Sequence, residues 1–504
     1  MDILNNLILG FTVAATPINL MYCFIGVFVG TLIGVLPGIG PVATIAMLLP
    51  LTFTQPPIAA LIMLAGIFYG AQYGGSTTAI LVNLPGEASS VVTCIDGHEM
   101  AKQGRAGPAL SIAAIGSFFA GTVCTLLIAF VGPPLAEIAL KFGAPEYFSL
   151  MLMGLVCAAV LATGSLLKSL AMVTVGLLIG IVGTDVNSGM SRFTFGMAGL
   201  SDGVGFVVVA MGVFGLAEIV GNLGNKDMSR DLLATKITNL MPRWADFKQC
   251  FWPIVRGTAI GSFFGPLPGT GATISAFASY ALEKKLAKDP SRFGKGAIEG
   301  VAGPESANNA SSQTTFIPML TLGIPGSASM ALMLGAMTIH GIAPGPQVMT
   351  QRPDLFWGVI ASMWIGNAML LALNLPLVGL WVKLLKVPYR ILFPIIMTFM
   401  AIGVYSLSNT SFDIYCMALF GLVGYVWVKL KCEVAPMILA LVLGPLMEEN
   451  LRRALLISRG DPTVFITRPI SGGFILATVI FLLLFAVPYL RKKRTEVLVE
   501  EDAK

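Results

Sequence analysis

Apolar runs recur along the whole chain, many long enough to cross a bilayer and others short enough to be arms of hairpins, with short polar loops between them. They fall near 18–36, 42–53, 58–82, 108–132, 148–163, 170–184 and 204–220, then near 257–267, 272–282, 328–342, 355–382, 391–406, 413–428, 434–447 and 471–490. Runs of this length predict α-helices; an outer-membrane barrel would show a weaker alternation over shorter segments. Two places break the pattern in the same way. Gly30-x-x-x-Gly34-x-x-Pro37-Gly38-Ile39-Gly40 and Gly261-x-x-x-Gly265-x-x-Pro268-Gly269-Thr270-Gly271 share one spacing, and both lie inside apolar sequence. In hydrocarbon an unpaired backbone group costs several kcal/mol, so such breaks survive only within protein or beside a water-filled cavity. Paired breaks in corresponding halves of a membrane protein point to a transport site. Each motif is therefore read as a helical hairpin whose tip lies inside the membrane. A further interruption is expected at Tyr73-Gly74-Gly75-Ser76-Thr77-Thr78.

Charge adds orientation. The hydrophilic stretch 221–256 and the loop 283–295 (Lys284, Lys285, Lys288, Arg292, Lys295) are basic and predicted cytoplasmic, so the second hairpin opens to that side. The turn 54–57 has no Lys or Arg, which places the mouth of the first hairpin outside. The expected fold is thus an all-α polytopic membrane protein with two inverted-topology repeats, each with a broken helix or re-entrant hairpin, and about 11–13 membrane spans. The expected divisions are a first repeat at 1–220, a cytoplasmic connector at 221–256, a second repeat at 257–490 and a basic, then acidic, cytoplasmic tail at 491–504. Arg452, Arg453, Arg459 and Arg468 resist this scheme. They would fall outside if both 434–447 and 471–490 crossed.

Composition agrees with a membrane protein. Of 504 residues 56% are hydrophobic and 11% charged, and mean hydropathy is +0.84; soluble domains are nearer a quarter charged. The net charge of +5 arises in loops and tail, so it reports topology and gives no sign of nucleic-acid binding. The first basic residue is Lys102, so a cleaved signal peptide is not expected. Seven scattered cysteines and two histidines form no C-x-x-C or H-E-x-x-H, and there is no phosphate-binding loop. Metalloprotease and ATP-driven pump are thereby unsupported, and no enzyme activity or cofactor is expected.

The hairpin tips are the first candidates for substrate binding: Pro37, Gly38 and Gly40 in one copy, Pro268, Gly269, Thr270 and Gly271 in the other. A broken helix offers free N–H groups, which attract anions, and free C=O groups, which suit Na⁺. The polar residues Ser76, Thr77, Asn83, Asn308, Asn309 and Ser311 can hydrogen-bond a carboxylate without a buried charge. Glu305, Ser312 and Thr314 are the candidates for coupling to Na⁺ or H⁺. Tight helix packing by the Gly/Pro motifs and interhelical hydrogen bonding by the polar stretches are the structural alternatives. Glu87, flanking the first polar stretch, is read as a loop carboxylate with ion coupling as the alternative, and Asp185, Glu218 and His340 as span-end residues.

The chain resembles the large membrane subunit of the bacterial tripartite tricarboxylate transporters. The resemblance is carried by Gly34-Val35-Leu36-Pro37-Gly38-Ile39-Gly40-Pro41, Tyr73-Gly74-Gly75-Ser76, Asn83-Leu84-Pro85-Gly86 and Asp96-Gly97-His98. It continues in Pro304-Glu305-Ser306-Ala307-Asn308-Asn309, Leu322-Gly323-Ile324-Pro325-Gly326-Ser327 and Glu448-Glu449-Asn450-Leu451-Arg452-Arg453. It implies a multi-pass secondary transporter of the bacterial inner membrane, working with a small membrane subunit and a periplasmic solute-binding protein. The implied activity is uptake of citrate or a related carboxylate driven by a Na⁺ or H⁺ gradient. The competing class is an ion or solute channel independent of a binding protein, though no ring of charges or carbonyls is evident.

Overall fold

The computed structural model describes residues 3–36, 40–162, 165–185, 188–223, 240–269, 271–384 and 389–486. It is 79% helical and carries one short antiparallel strand pair, Gly183–Thr184 with Ser191–Arg192. Among the described residues six helices are long and apolar enough to cross a membrane: Pro17–Gly34, Pro57–Val82, Ala106–Ala139, Ala144–Leu161, Pro353–Asn374 and Ser411–Lys429. Shorter apolar helices, among them Ile3–Ala14, Leu166–Gly180 and Ala328–Ile339, pack around them. The protein is an all-α polytopic membrane protein.

Glycine spacing decides how the motif helices pack. Helix Pro17–Gly34 lies backbone to backbone on helix Pro57–Val82. A Cβ added at Gly26, Gly30 or Gly34 would come within 2.3, 2.5 and 2.3 Å of the carbonyl oxygens of Met63, Ile67 and Ala71. The partner numbers rise together, so these helices run parallel. Helix Trp244–Phe264 meets helix Glu299–Thr314 in the same register. Gly257, Gly261 and Gly265 face the carbonyls of Gly303, Ala307 and Ser311, at 2.2, 2.2 and 2.4 Å from a hypothetical Cβ. Small residues at four-residue spacing let membrane helices approach this closely.

The two parallel pairs then meet at the centre. Phe68 packs on Phe316 (ring centroids 6.2 Å), Gln72 bonds Ser312 (2.5 Å) and Ser76 bonds Glu305 (2.6 Å). Here one number rises as the other falls, so helices 57–82 and 299–314 run antiparallel.

Helix 57–82 is not interrupted at 73–78. Glycine costs about 1 kcal/mol relative to alanine in a helix. Here Gly74 lies against the backbone of Thr31 and Val35, where a Cβ would come within 2.6 Å of both, and Gly75 lies close to Gly86, 3.3 Å from an added Cβ. Packing wins over propensity. The chain turns later, at Asn83 with φ 57°, and Gly323 repeats this at φ 70°. Each turn leads into a Pro-Gly pair, Pro85-Gly86 or Pro325-Gly326.

Two helices run past the bounds expected for them. Helix Trp244–Phe264 begins inside the stretch expected to be connector, carrying Arg256 with it. Glu283 of the returning arm, Gly271–Leu286, neutralises Arg256 through two hydrogen bonds of 2.8 and 2.6 Å. The run expected to stop at 447 continues as one helix, Ala435–Ile457. Its arginines have carboxylate partners: Arg452 pairs with Asp185 (3.1 Å) and Glu448 (2.6 Å), and Arg453 with Glu449 (2.5 Å). Arg468, farther on, pairs with Glu146 (2.5 Å).

The basic loops gather at one end. Arg105 pairs with Asp246 (2.7 Å), and Gln103 donates to the carbonyl of Lys295 (2.8 Å). Asp96, fully buried, accepts backbone N–H groups of Gly294, Gly296 and Ala297 at 2.8–2.9 Å and the Tyr280 hydroxyl at 2.9 Å. The loop that closes the second hairpin is thus latched to the first half.

Candidate functional site

A cavity of about 350 Å³ opens between the hairpins and the Pro-Gly loops. Three helical N-termini line it, with one short turn beside them. Gly40, Pro41, Val42 and Ala43 begin helix Pro41–Leu48; Gly271, Ala272 and Thr273 begin helix Gly271–Leu286. Ser327, Ala328 and Ser329 begin helix Ala328–Ile339, and Glu87, Ala88 and Ser89 begin the short 3₁₀ turn Ala88–Ser90. The first turn of a helix leaves N–H groups without intrahelical partners and carries roughly half a positive charge. Several such ends on one cavity make an anion-attracting wall without a fixed cation.

Hydrogen bonds and close contacts hold the tips in place. The Gly269 N–H donates to the Gly326 carbonyl (2.9 Å), tying the second tip to its Pro-Gly loop. Gly269 has φ 123°, a conformation that disfavours side chains, and a Cβ there would reach within 3.0 Å of Leu161. The Gly40 N–H donates to the Glu218 carboxylate, tying the first tip to helical segment 206–223. Gly86 sits so close to Gly75 that a Cβ on it would lie 2.3 Å from the Gly75 Cα, and Gly326 abuts Thr315 likewise, its Cβ 2.6 Å from the Thr315 hydroxyl.

The wall holds two carboxylates, Glu87 and Glu218. Among the described residues lining the cavity there is no Lys, Arg or His. Glu87 Oε1 accepts the Ser89 hydroxyl (2.6 Å) and the Asn308 amide (2.9 Å). Among the described residues no three His, Cys, Asp or Glu side chains gather as a metal cluster would.

The candidates from the sequence divide into three groups. Gly40, Gly269, Gly271, Ser311 and Ser312 line the cavity. Pro37, Gly38 and Thr270 lie outside the described residues. The others stand apart from its lining. Pro268 is half-buried in the second tip, and Asn83 is an exposed left-handed helix terminus. Asn308 reaches the cavity only through Glu87. Thr314 donates to the Ala310 carbonyl (2.9 Å) and occupies the space left by Gly265.

Glu305, Ser76, Thr77 and Asn309 lie behind the wall, toward helix 106–139. Glu305 is 1% exposed; its oxygens accept the hydroxyls of Ser76 (2.6 Å) and Thr93. It borders a void of about 10 Å³ shared with Ser76, Thr77, Ser117 and Asn374. Asn309 donates to the Ser117 hydroxyl (2.6 Å).

Sequence reasoning set Glu218 aside as a span-end residue and passed over Gln72, Ser327 and Ser329, all of which line the cavity. Gln72 carried a usable signal: it is the one amide within the apolar run 58–82, where polar groups are expensive. Glu218 carried less, because what brings it to the cavity is its contact with a tip distant in sequence.

A family profile described as the tripartite tricarboxylate transporter TctA family matches residues 20–439. The chain is 57% identical over 502 residues, the whole of both proteins, to an Agrobacterium vitis protein described as "Uncharacterized 52.8 kDa protein in TAR-I ttuC' 3'region". It is also 57% identical over 242 residues to "Uncharacterized protein in TAR-II ttuC' 3'region" of the same organism, covering 48% of this chain and 100% of that one. No solved structure matches the chain.

Proposed function

Because this chain belongs to the tripartite tricarboxylate transporter TctA family, whose large membrane subunit it is, we propose that the cavity between the hairpins binds a tricarboxylate or related carboxylate during secondary active uptake. One observation carries this reading: helical N-termini from both hairpins and from the segment after the second Pro-Gly loop line the same space. Their N–H groups, with the hydroxyls of Ser311, Ser327 and Ser329, suit carboxylate oxygens.

Glu87 and Glu218 carry the argument on to coupling. An anion meeting two carboxylates and no cationic side chain is repelled unless positive charge enters with it. A Na⁺ or H⁺ gradient supplies that charge and drives uptake. The antiparallel crossing of helices 57–82 and 299–314, each paired in parallel with its own motif helix, supports two repeats of inverted topology. In this reading the basic end faces the cytoplasm of a bacterial inner membrane. A periplasmic binding protein delivers the substrate, and a small membrane subunit completes the complex.

The test is uptake of labelled di- and tricarboxylates into vesicles holding all three components, with Na⁺ and pH gradients varied separately. Saturable uptake that requires the binding protein and collapses with one gradient is expected. Single-channel currents without the binding protein would overturn the reading in favour of a channel.

A further inference from the structure

Two buried amide oxygens, one in the wall of the cavity and one just behind it, have no hydrogen-bond donor. Gln72 and Asn308 are each 1% exposed, and neither Gln72 Oε1 nor Asn308 Oδ1 has a partner among the described residues. Turning the amides over does not cure this. Gln72 Nε2 donates to Ser312 Oγ (2.5 Å), whose own hydrogen goes to the Asn308 carbonyl (2.9 Å). Asn308 Nδ2 donates to Glu87 Oε1 (2.9 Å), a carboxylate oxygen also held by Ser89 (2.6 Å). Both nitrogens are fixed by acceptors, so the oxygens are the atoms left over. A buried polar atom without a partner is costly, and each one calls for a physical reason. Here two of them join one carboxylate and one hydroxyl in a single network.

We propose that Gln72, Asn308, Ser312 and Glu87 form the site of one Na⁺ ion at the edge of the carboxylate cavity. The donor set is all oxygen, which suits a hard cation. It carries a single negative charge, which one monovalent ion balances; a divalent ion would leave a net positive charge in a protected place. A proton is the poorer occupant, because one hydrogen on Glu87 cannot satisfy two amide oxygens. The site draws on three segments: Gln72 on helix 57–82, Asn308 and Ser312 on helix 299–314, and Glu87 on the first Pro-Gly loop. An ion there fastens the two halves where they cross and lends its charge to an anion against the same wall. This inference rests on the cavity being the carboxylate site and names its coupling ion.

The experiment is thermal unfolding of the purified full chain while NaCl replaces choline chloride at constant ionic strength, with KCl as control. A saturable rise in Tm specific to Na⁺ is expected. In Gln72→Leu and in Asn308→Leu the half-saturating Na⁺ concentration should rise at least tenfold, whereas Gln72→Glu, which keeps an oxygen, should retain the response. If the leucine variants do not fold, Ser312→Ala serves, with a several-fold rise expected. An equal response to K⁺ and choline, or unchanged half-saturation in the variants that fold, overturns the site. Labelled-carboxylate uptake, measured beside it, separates the two ideas. A Na⁺ response that follows these residues, with no uptake under any gradient, removes the transport reading and leaves the ion site. Uptake whose Na⁺ dependence ignores these residues does the reverse.

Discussion

Gln72 and Ser312 occupy matching positions in the two halves and are hydrogen-bonded to each other at 2.5 Å. The match follows from their neighbours: the Ala71 carbonyl faces Gly34 and the Ser311 carbonyl faces Gly265, and those glycines stand at the same place in the two motif copies. The centre of the protein is therefore a point where each half meets its own counterpart, and the proposed chemistry is gathered around it.

Gly86 and Gly40 should separate folding from binding. A Cβ on Gly86 would lie 2.3 Å from the Gly75 backbone, whereas on Gly40 its nearest contact is 3.8 Å away. Gly86→Ala is expected to destabilise the protein by about 3 kcal/mol or more through overpacking, and Gly40→Ala by under about 1 kcal/mol. Size-exclusion profiles and thermal melts would show the first. The Gly40 variant should fold, with its effect appearing as a raised KM for uptake.

Asn309 should act through Ser117. Because the Asn309 amide donates to the Ser117 hydroxyl behind the cavity wall, Asn309→Ala and Ser117→Ala are each expected to cost about 1 kcal/mol. The double variant should cost clearly less than the sum, as in any pair sharing one bond. Additive melts would show that the two side chains do not depend on each other.

The Asp96 latch predicts a protease phenotype. Asp96→Asn keeps the size but loses the charge that accepts three N–H groups and the Tyr280 hydroxyl. A cost of about 2 kcal/mol is expected, with trypsin cutting several-fold faster at Lys288, Arg292 or Lys295. Unchanged cleavage would mean that the loop is held by other contacts.

Glu146 is nearly buried and holds Arg468 at 2.5 Å while accepting the Gly143 N–H at 2.9 Å. Arg468 is half exposed, so solvent screening discounts the pair. Glu146→Gln should lower stability by about 1–2 kcal/mol, and added salt should narrow the gap from the natural protein. Melts at low and high NaCl would show both effects.

Membrane class and the special status of the two Pro-Gly motifs were legible in the sequence, because hydropathy and broken helices are local properties. The unbroken course of helix 57–82 was not. Gly74 and Gly75 read as breakers until helix 17–34 and Gly86 are brought against them. The polar candidates were legible as a group but not by direction: Ser311 and Ser312 face the cavity, while Asn309 and Glu305 face helix 106–139. A single turn of helix separates these outcomes, and no spacing rule assigns the direction without knowing both neighbours. Glu218 reaches the cavity through a hydrogen bond with Gly40, far away along the chain, and Asn83 proved to be a turn former because its left-handed backbone ends a helix.

The glycine seams carry one further consequence. Where backbone rests on backbone there is no layer of side chains to shear, so each tip and the long helix beside it are geared together. A tip cannot retract alone; it must take its companion along. Any exchange of the cavity between the two faces of the membrane then requires one geared pair to slip past the other at the Gln72–Ser312 crossing.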